Sequence, residues 1–148
     1  MVAVFPPKCN QLPFSGPAVH GGGTFVCDVP VPVDRAIKLH AKVGLTHLAA
    51  GHLADVEYLE ADCVIANKNG AMSLTAPIAG SANPTNSAAL VAQTSEVCDV
   101  AFLSGGGAPG TAVWSINGLN ARLTVTNAAI LDDADVSVLV DAFYFGSI

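Results

Sequence analysis

The sequence predicts an all-β chain: an antiparallel, jelly-roll-like β-sandwich of about eight strands, preceded by an extended N-terminal arm. Three observations predict it. Apolar residues recur at every second position through long stretches of the chain. The two Asn-Gly dipeptides, Asn69-Gly70 and Asn117-Gly118, each stand between two such stretches, where residues that tolerate positive φ close a hairpin. Turn residues return at short spacing elsewhere.

Residues 1–23 form the arm. Pro6, Pro7, Pro13 and Pro17 break regular structure there, while Val4, Phe5, Leu12 and Phe14 make the segment too apolar for a free tail. It ends at Gly21, Gly22 and Gly23, which read as a hinge. Two placements follow: the arm lies along a neighbouring subunit, with Val4, Phe5, Leu12 and Phe14 as its contact residues, or it folds back on its own domain.

The domain, residues 24–148, opens with a strand at 24–29. In residues 35–45 the side chains Ile37, Leu39, Ala41, Val43 and Leu45 share one face, and Lys38, His40 and Lys42 share the other, as in a half-buried antiparallel strand. Residues 45–60 carry an approximate helical stripe of Leu45, Leu48, Leu53, Val56 and Leu59, weakened by Gly51. They read as a loop or short helix leading into a strand. Strands follow at 56–67 and 71–76, joined by the first Asn-Gly turn. Others fall at 88–94, 97–103, 111–116 and 119–127, the last two joined by the second turn. Residues 135–145 close the chain. Val136, Val138, Val140 and Tyr144 face one way and Leu139, Phe143 and Phe145 the other, the pattern of a central or doubly covered strand.

Composition narrows the function. Hydrophobic residues make up 51% of the chain and charged residues only 12%, about half the usual charged share. That is too little charge for an ordinary monomer surface, so other protein is expected to cover part of it. The net charge of -6, with only six basic residues scattered along the chain, excludes a nucleic-acid partner. Residues 69–95 and 100–121 contain no Asp, Glu, Lys or Arg, yet Pro77, Pro84 and the glycine-rich residues 104–107 forbid a membrane span. The start of the chain lacks the charged and apolar regions of a secretory signal, so synthesis and folding in a cytosol are expected.

Candidate chemistry is sparse. Cys9, Cys27, Cys63 and Cys98 are far apart; the last three sit in apolar surroundings and read as free buried thiols, with a Cys27 to Cys98 disulfide as the other possibility. His40, His47 and His52 lack the spacing of a metal site and read as surface or interface histidines. Asp132, Asp133 and Asp135 lack the glycine and glutamate of a calcium loop and read as a solvated turn. Glu57, Glu60 and Asp62 read as the polar side of a strand, not as paired catalytic carboxylates, because no substrate-binding aromatics accompany them. Gly105 to Gly107 lack the Lys and Ser or Thr of a phosphate loop. Trp114 reads as a core residue before a sugar platform. No catalytic residue, metal site or cofactor is expected.

The strand at 29–43 after Val29-Pro30, the acidic strand and Asn-Gly turn of 58–74, the Trp114 strand with its Thr- and Val-rich partner, and the Val-rich closing strand together resemble the small β-sandwich modules of tailed-bacteriophage virions. The resemblance spans residues 27–145. It implies a non-enzymatic structural protein of a capsid or tail, a homotrimer partnered by other virion proteins and assembled in the host cytoplasm. The alternative it offers is a carbohydrate- or receptor-binding module of a tail fibre, with a glycan held by the loops at 77–86 and 104–110.

Overall fold

The computed structural model describes residues 8–47, 56–76, 85–86, 93–97, 110–128 and 133–145. Among them every regular element is a β-strand. These are β1 (Lys8–Ser15), β2 (Thr24–Pro30), β3 (Arg35–His47), β4 (Val56–Lys68), β5 (Ala71–Ala76), β6 (Thr85–Asn86), β7 (Gln93–Val97), β8 (Thr111–Asn117), β9 (Asn120–Thr126) and β10 (Ala134–Phe145). Eight of them have six or more residues, β6 and β7 being the short ones. They form two antiparallel sheets. The wide sheet runs β1-β10-β3-β4-β5-β6, with β7 also paired to β4, and the narrow sheet runs β2-β9-β8. The chain is a β-sandwich.

Alternation decides which residues enter the core. Ile37, Leu39, Ala41, Val43 and Leu45 of β3 are fully buried, as are Ala121, Leu123 and Val125 of β9. Between the sheets they meet Leu59, Ile65 and Trp114, each at most 1% exposed. Burying such a Leu or Ile side chain stabilises the fold by about 1.5 to 3 kcal/mol. The Trp114 indole N–H donates to the Ala61 carbonyl at 3.0 Å, so its one polar group is satisfied within the core.

The turns obey their residues. Asn69 and Gly70 take φ of 53° and 85°, closing β4 onto β5 in a two-residue turn with both centres left-handed. At the other Asn-Gly the turn lies one residue later than expected. Asn117 is still in β8, Gly118 with φ of 59° opens the turn, and Leu119 completes it with 52% of its surface exposed. The facing of β9 is unchanged, but Leu119 does not belong to its apolar side.

Two expectations are revised. Residues 8–15 of the segment read as an arm are β1, paired along its whole length with β10 of the same chain. Pro13 is accommodated because β1 is an edge strand, where a missing N–H need not interrupt a ladder on both sides. Leu12 and Phe14, expected to contact another subunit, are half-buried against this chain's own core, while Val4 and Phe5 lie outside the described residues. Gly22 and Gly23 are not a free hinge: the Gly22 N–H donates to Asn127 O at 2.7 Å, the Gly23 N–H to His20 O at 2.8 Å, and the Asn127 N–H to Gly23 O at 3.0 Å. Of the two forms expected of β10 it takes the central one, lying between β1 and β3, with Phe143 on its outer side 44% exposed.

The helical stripe at 45–60 resolves otherwise. Leu45 ends the apolar face of β3, and Val56 and Leu59 belong to β4; Leu48 and Leu53 lie outside the described residues. The expected strand at 88–94 corresponds to β7 at its end, and most of the one at 97–103 lies outside the described residues.

Candidate functional site on the open face of the wide sheet

The residues that β1, β10, β3 and β4 turn away from the core form a continuous outer face. Antiparallel register sets them in cross-strand rungs: Cys9, Phe143, Lys38 and Val64; then Gln11, Asp141, His40 and Asp62; then Pro13, Leu139, Lys42 and Glu60; then Ser15, Ser137, Gly44 and Tyr58. Each rung draws on four strands, so the face exists only once the whole sheet is assembled.

A network of paired charges is centred on the two middle rungs, with Lys38 and Tyr58 reaching into it from the rungs on either side. Lys42 Nζ lies 3.2 Å from Asp141, which also accepts from the Gln11 side-chain amide at 3.2 Å. Lys38 Nζ lies 3.5 Å from Asp62, His40 Nδ1 contacts the same carboxylate, and His40 Nε2 lies 3.5 Å from Glu60. The Tyr58 hydroxyl donates to Glu60 at 2.7 Å. The hydrogen bond from Lys42 holds the Asp141 carboxyl below its ordinary value, with Gln11 adding to the effect. At the narrow sheet the Asp28 carboxyl is likewise lowered, chiefly by the paired hydrogen bonds from Arg122 at 2.8 and 2.9 Å.

The face is apolar toward one end and hollow toward the other. Phe143 and Phe145 stack with ring centroids 5.8 Å apart. Over Gly44, an open hollow of about 610 Å³ is bounded by Tyr58, Lys42, Ser137, Leu139, Pro13 and neighbouring residues.

A second constellation lies inside. His47 Nε2 and Glu57 Oε2 are 2.8 Å apart with both side chains fully buried, and the other Glu57 oxygen accepts the Gly110 N–H at 2.8 Å. No side chain fits at position 110, where a Cβ would come within 2.8 Å of Leu45 and of the Thr126 carbonyl. An imidazole beside a carboxylate is the usual unit of acid–base chemistry, but no atom of either side chain reaches the surface. The pair instead ties the end of the β3-β4 pairing to the start of β8.

The sequence candidates are thus separated. Glu60 and Asp62 stand on the outer face, as expected of a polar strand side, and Tyr58 is an aromatic beside them that the sequence reading passed over. Glu57 is buried, and His47 is a buried residue at 1% exposure, not a surface one. The signal for both was parity: Glu57 is in phase with Leu59 and Ala61, and His47 with Val43 and Leu45. Cys27 and Cys63 are free, buried thiols, each pushed up to about 12, mainly by burial. Cys9 is free and exposed, and Cys98 lies outside the described residues. Asp133 faces His20 at 3.0 Å. His52, Asp132, Gly105 to Gly107 and nearly all of the two loops assigned to a glycan lie outside the described residues. Among the described residues no group of three or more His, Cys, Asp or Glu is placed to hold a metal ion, and no helix is long and apolar enough to cross a membrane.

Comparison with known proteins gives no family. No family model matches the chain, and no curated protein matches it significantly.

Proposed function

We propose that this chain is a structural, non-enzymatic subunit of a larger protein assembly, the shell or tail of a bacteriophage virion put together in the host cytoplasm, and that it associates with copies of itself, as a homotrimer, and with other virion proteins. One observation carries the self-association: the stacked Phe143 and Phe145 on the outer side of β10, with Phe143 44% exposed, next to a network whose lysines already face carboxylates. Aromatic side chains are enriched where proteins meet. The low charge of the whole chain supports the same reading. The virion setting rests on the order and composition of the strands.

Electron microscopy of purified particles, with the subunit tagged at its C-terminus, tests the setting. Repeated density for the sandwich on the shell or tail is the expected result, and its absence from the particle overturns it. Apolar contact through Phe143 is tested separately by the oligomeric state of Phe143→Asp.

A further inference from the structure

Gly44 is a residue the fold does not require. It sits within β3, outside any turn, its φ is not left-handed, and a Cβ placed on it would meet no atom within 4 Å. A glycine inside a strand weakens the strand, and where neither backbone nor neighbours demand it, the remaining role is to let another molecule approach the sheet closely. Here it opens the hollow of about 610 Å³, a volume within the range of small-molecule sites.

The surroundings state the chemistry of that molecule. Leu139 and Pro13 supply a C–H surface at one side, and Tyr58, with 38% of its surface exposed, supplies an aromatic wall. Ser15 and Ser137 present hydroxyls that donate and accept, Lys42 presents N–H donors, and Glu60 accepts behind the Tyr58 hydroxyl. Lys42, the cation of the lining, already faces Asp141, so an acidic ligand would have to displace that carboxylate. An extended peptide would look for free backbone groups at a sheet edge, whereas the strands beneath Gly44 are paired on both sides. A pyranose ring has both an apolar C–H face and a periphery of hydroxyls that donate and accept.

We propose that the hollow over Gly44 binds a neutral saccharide, with one sugar ring against Tyr58 and Leu139 and its hydroxyls directed to Ser15, Ser137 and Lys42. The site lies toward the opposite end of β10 from Phe143, six residues or about 20 Å along the strand, so it is distinct from the apolar patch assigned to assembly.

The test applies the full chain to an array of neutral oligosaccharides built from glucose, galactose, mannose and N-acetylhexosamines, printed beside acidic ones that carry uronic or sialic acids, and follows any hit by titration against backbone amide resonances. Binding by the unmodified chain, with shifts at residues 42–44, 58 and 137, is expected. Gly44→Val fills the hollow with a strand-forming side chain and should weaken binding at least tenfold while leaving the spread of amide resonances intact. Tyr58→Ala, at an exposed position, should weaken it at least fivefold. The proposal is overturned if no neutral saccharide binds, if only acidic ones do, or if both variants bind as tightly as the parent.

Discussion

At the scale of single residues, the buried His47–Glu57 pair has the clearest consequence. Both groups are fully removed from water and hold each other at 2.8 Å, so deleting one leaves the other in a medium that solvates it poorly. Glu57→Ala should therefore cost about 3 to 5 kcal/mol in denaturant unfolding. Adding His47→Ala should cost clearly less than the sum of the two single changes, because the lost interaction is shared. Equal and additive small losses would show that the pair is not coupled. The thiols give a second test. With Cys27 and Cys63 pushed up to about 12, a maleimide should label Cys9 in the native protein and reach the other two only after unfolding, as read by peptide mass spectrometry. Both assignments were within reach of the sequence to different degrees. Cys27 and Cys63 stand among apolar neighbours that mark them as buried, whereas the charge of Glu57 points outward and only its phase with Leu59 and Ala61 places it inside.

At the scale of elements, alternation makes half-buried strands legible, as in β3 and β9, while β5 is legible from the Asn69-Gly70 turn that precedes it. Leu123 is fully buried and Asn120 half-exposed, so Leu123→Ala should cost about 2 to 5 kcal/mol and Asn120→Ala far less. The reverse ranking would mean a register shifted by one. β1 was not legible, because its prolines argue against a strand until the edge position that tolerates Pro13 is known, and edge position is a property of the sheet. That placement changes what truncation does. Removing residues 1–15 strips β1 from β10 together with Leu12 and Phe14, and should lower the unfolding midpoint. The cross-strand link between β3 and β10 is pH-dependent. Asp141 has a lowered pKa, so its contribution is complete above the ordinary value of 3.8 and is lost as pH falls through the lowered one. Asp141→Asn should accordingly be less stable than the parent near about pH 7, and the gap should close as the solution is acidified below that ordinary value.

At the scale of the whole molecule, the outer face explains why the site could not be read in advance. Ser15, Gly44, Tyr58 and Ser137 are far apart in sequence and become neighbours only through the pairings of β1 with β10, β10 with β3, and β3 with β4. Pattern showed that β10 is apolar on both sides but could not show that its outer side stays open. Among the described residues, a sandwich core shared by the two sheets is joined to an outer face that is apolar toward one end, charge-paired across the middle and hollow toward the other. The central claim is that the apolar end is covered by another copy. Sedimentation equilibrium of the full chain and of Phe143→Asp tests this most directly. The account predicts an oligomer, of trimer mass, that Phe143→Asp shifts toward monomer without loss of β structure. A full chain that remains monomeric across the concentration range, or a Phe143→Asp variant that associates as strongly as the parent, would contradict it.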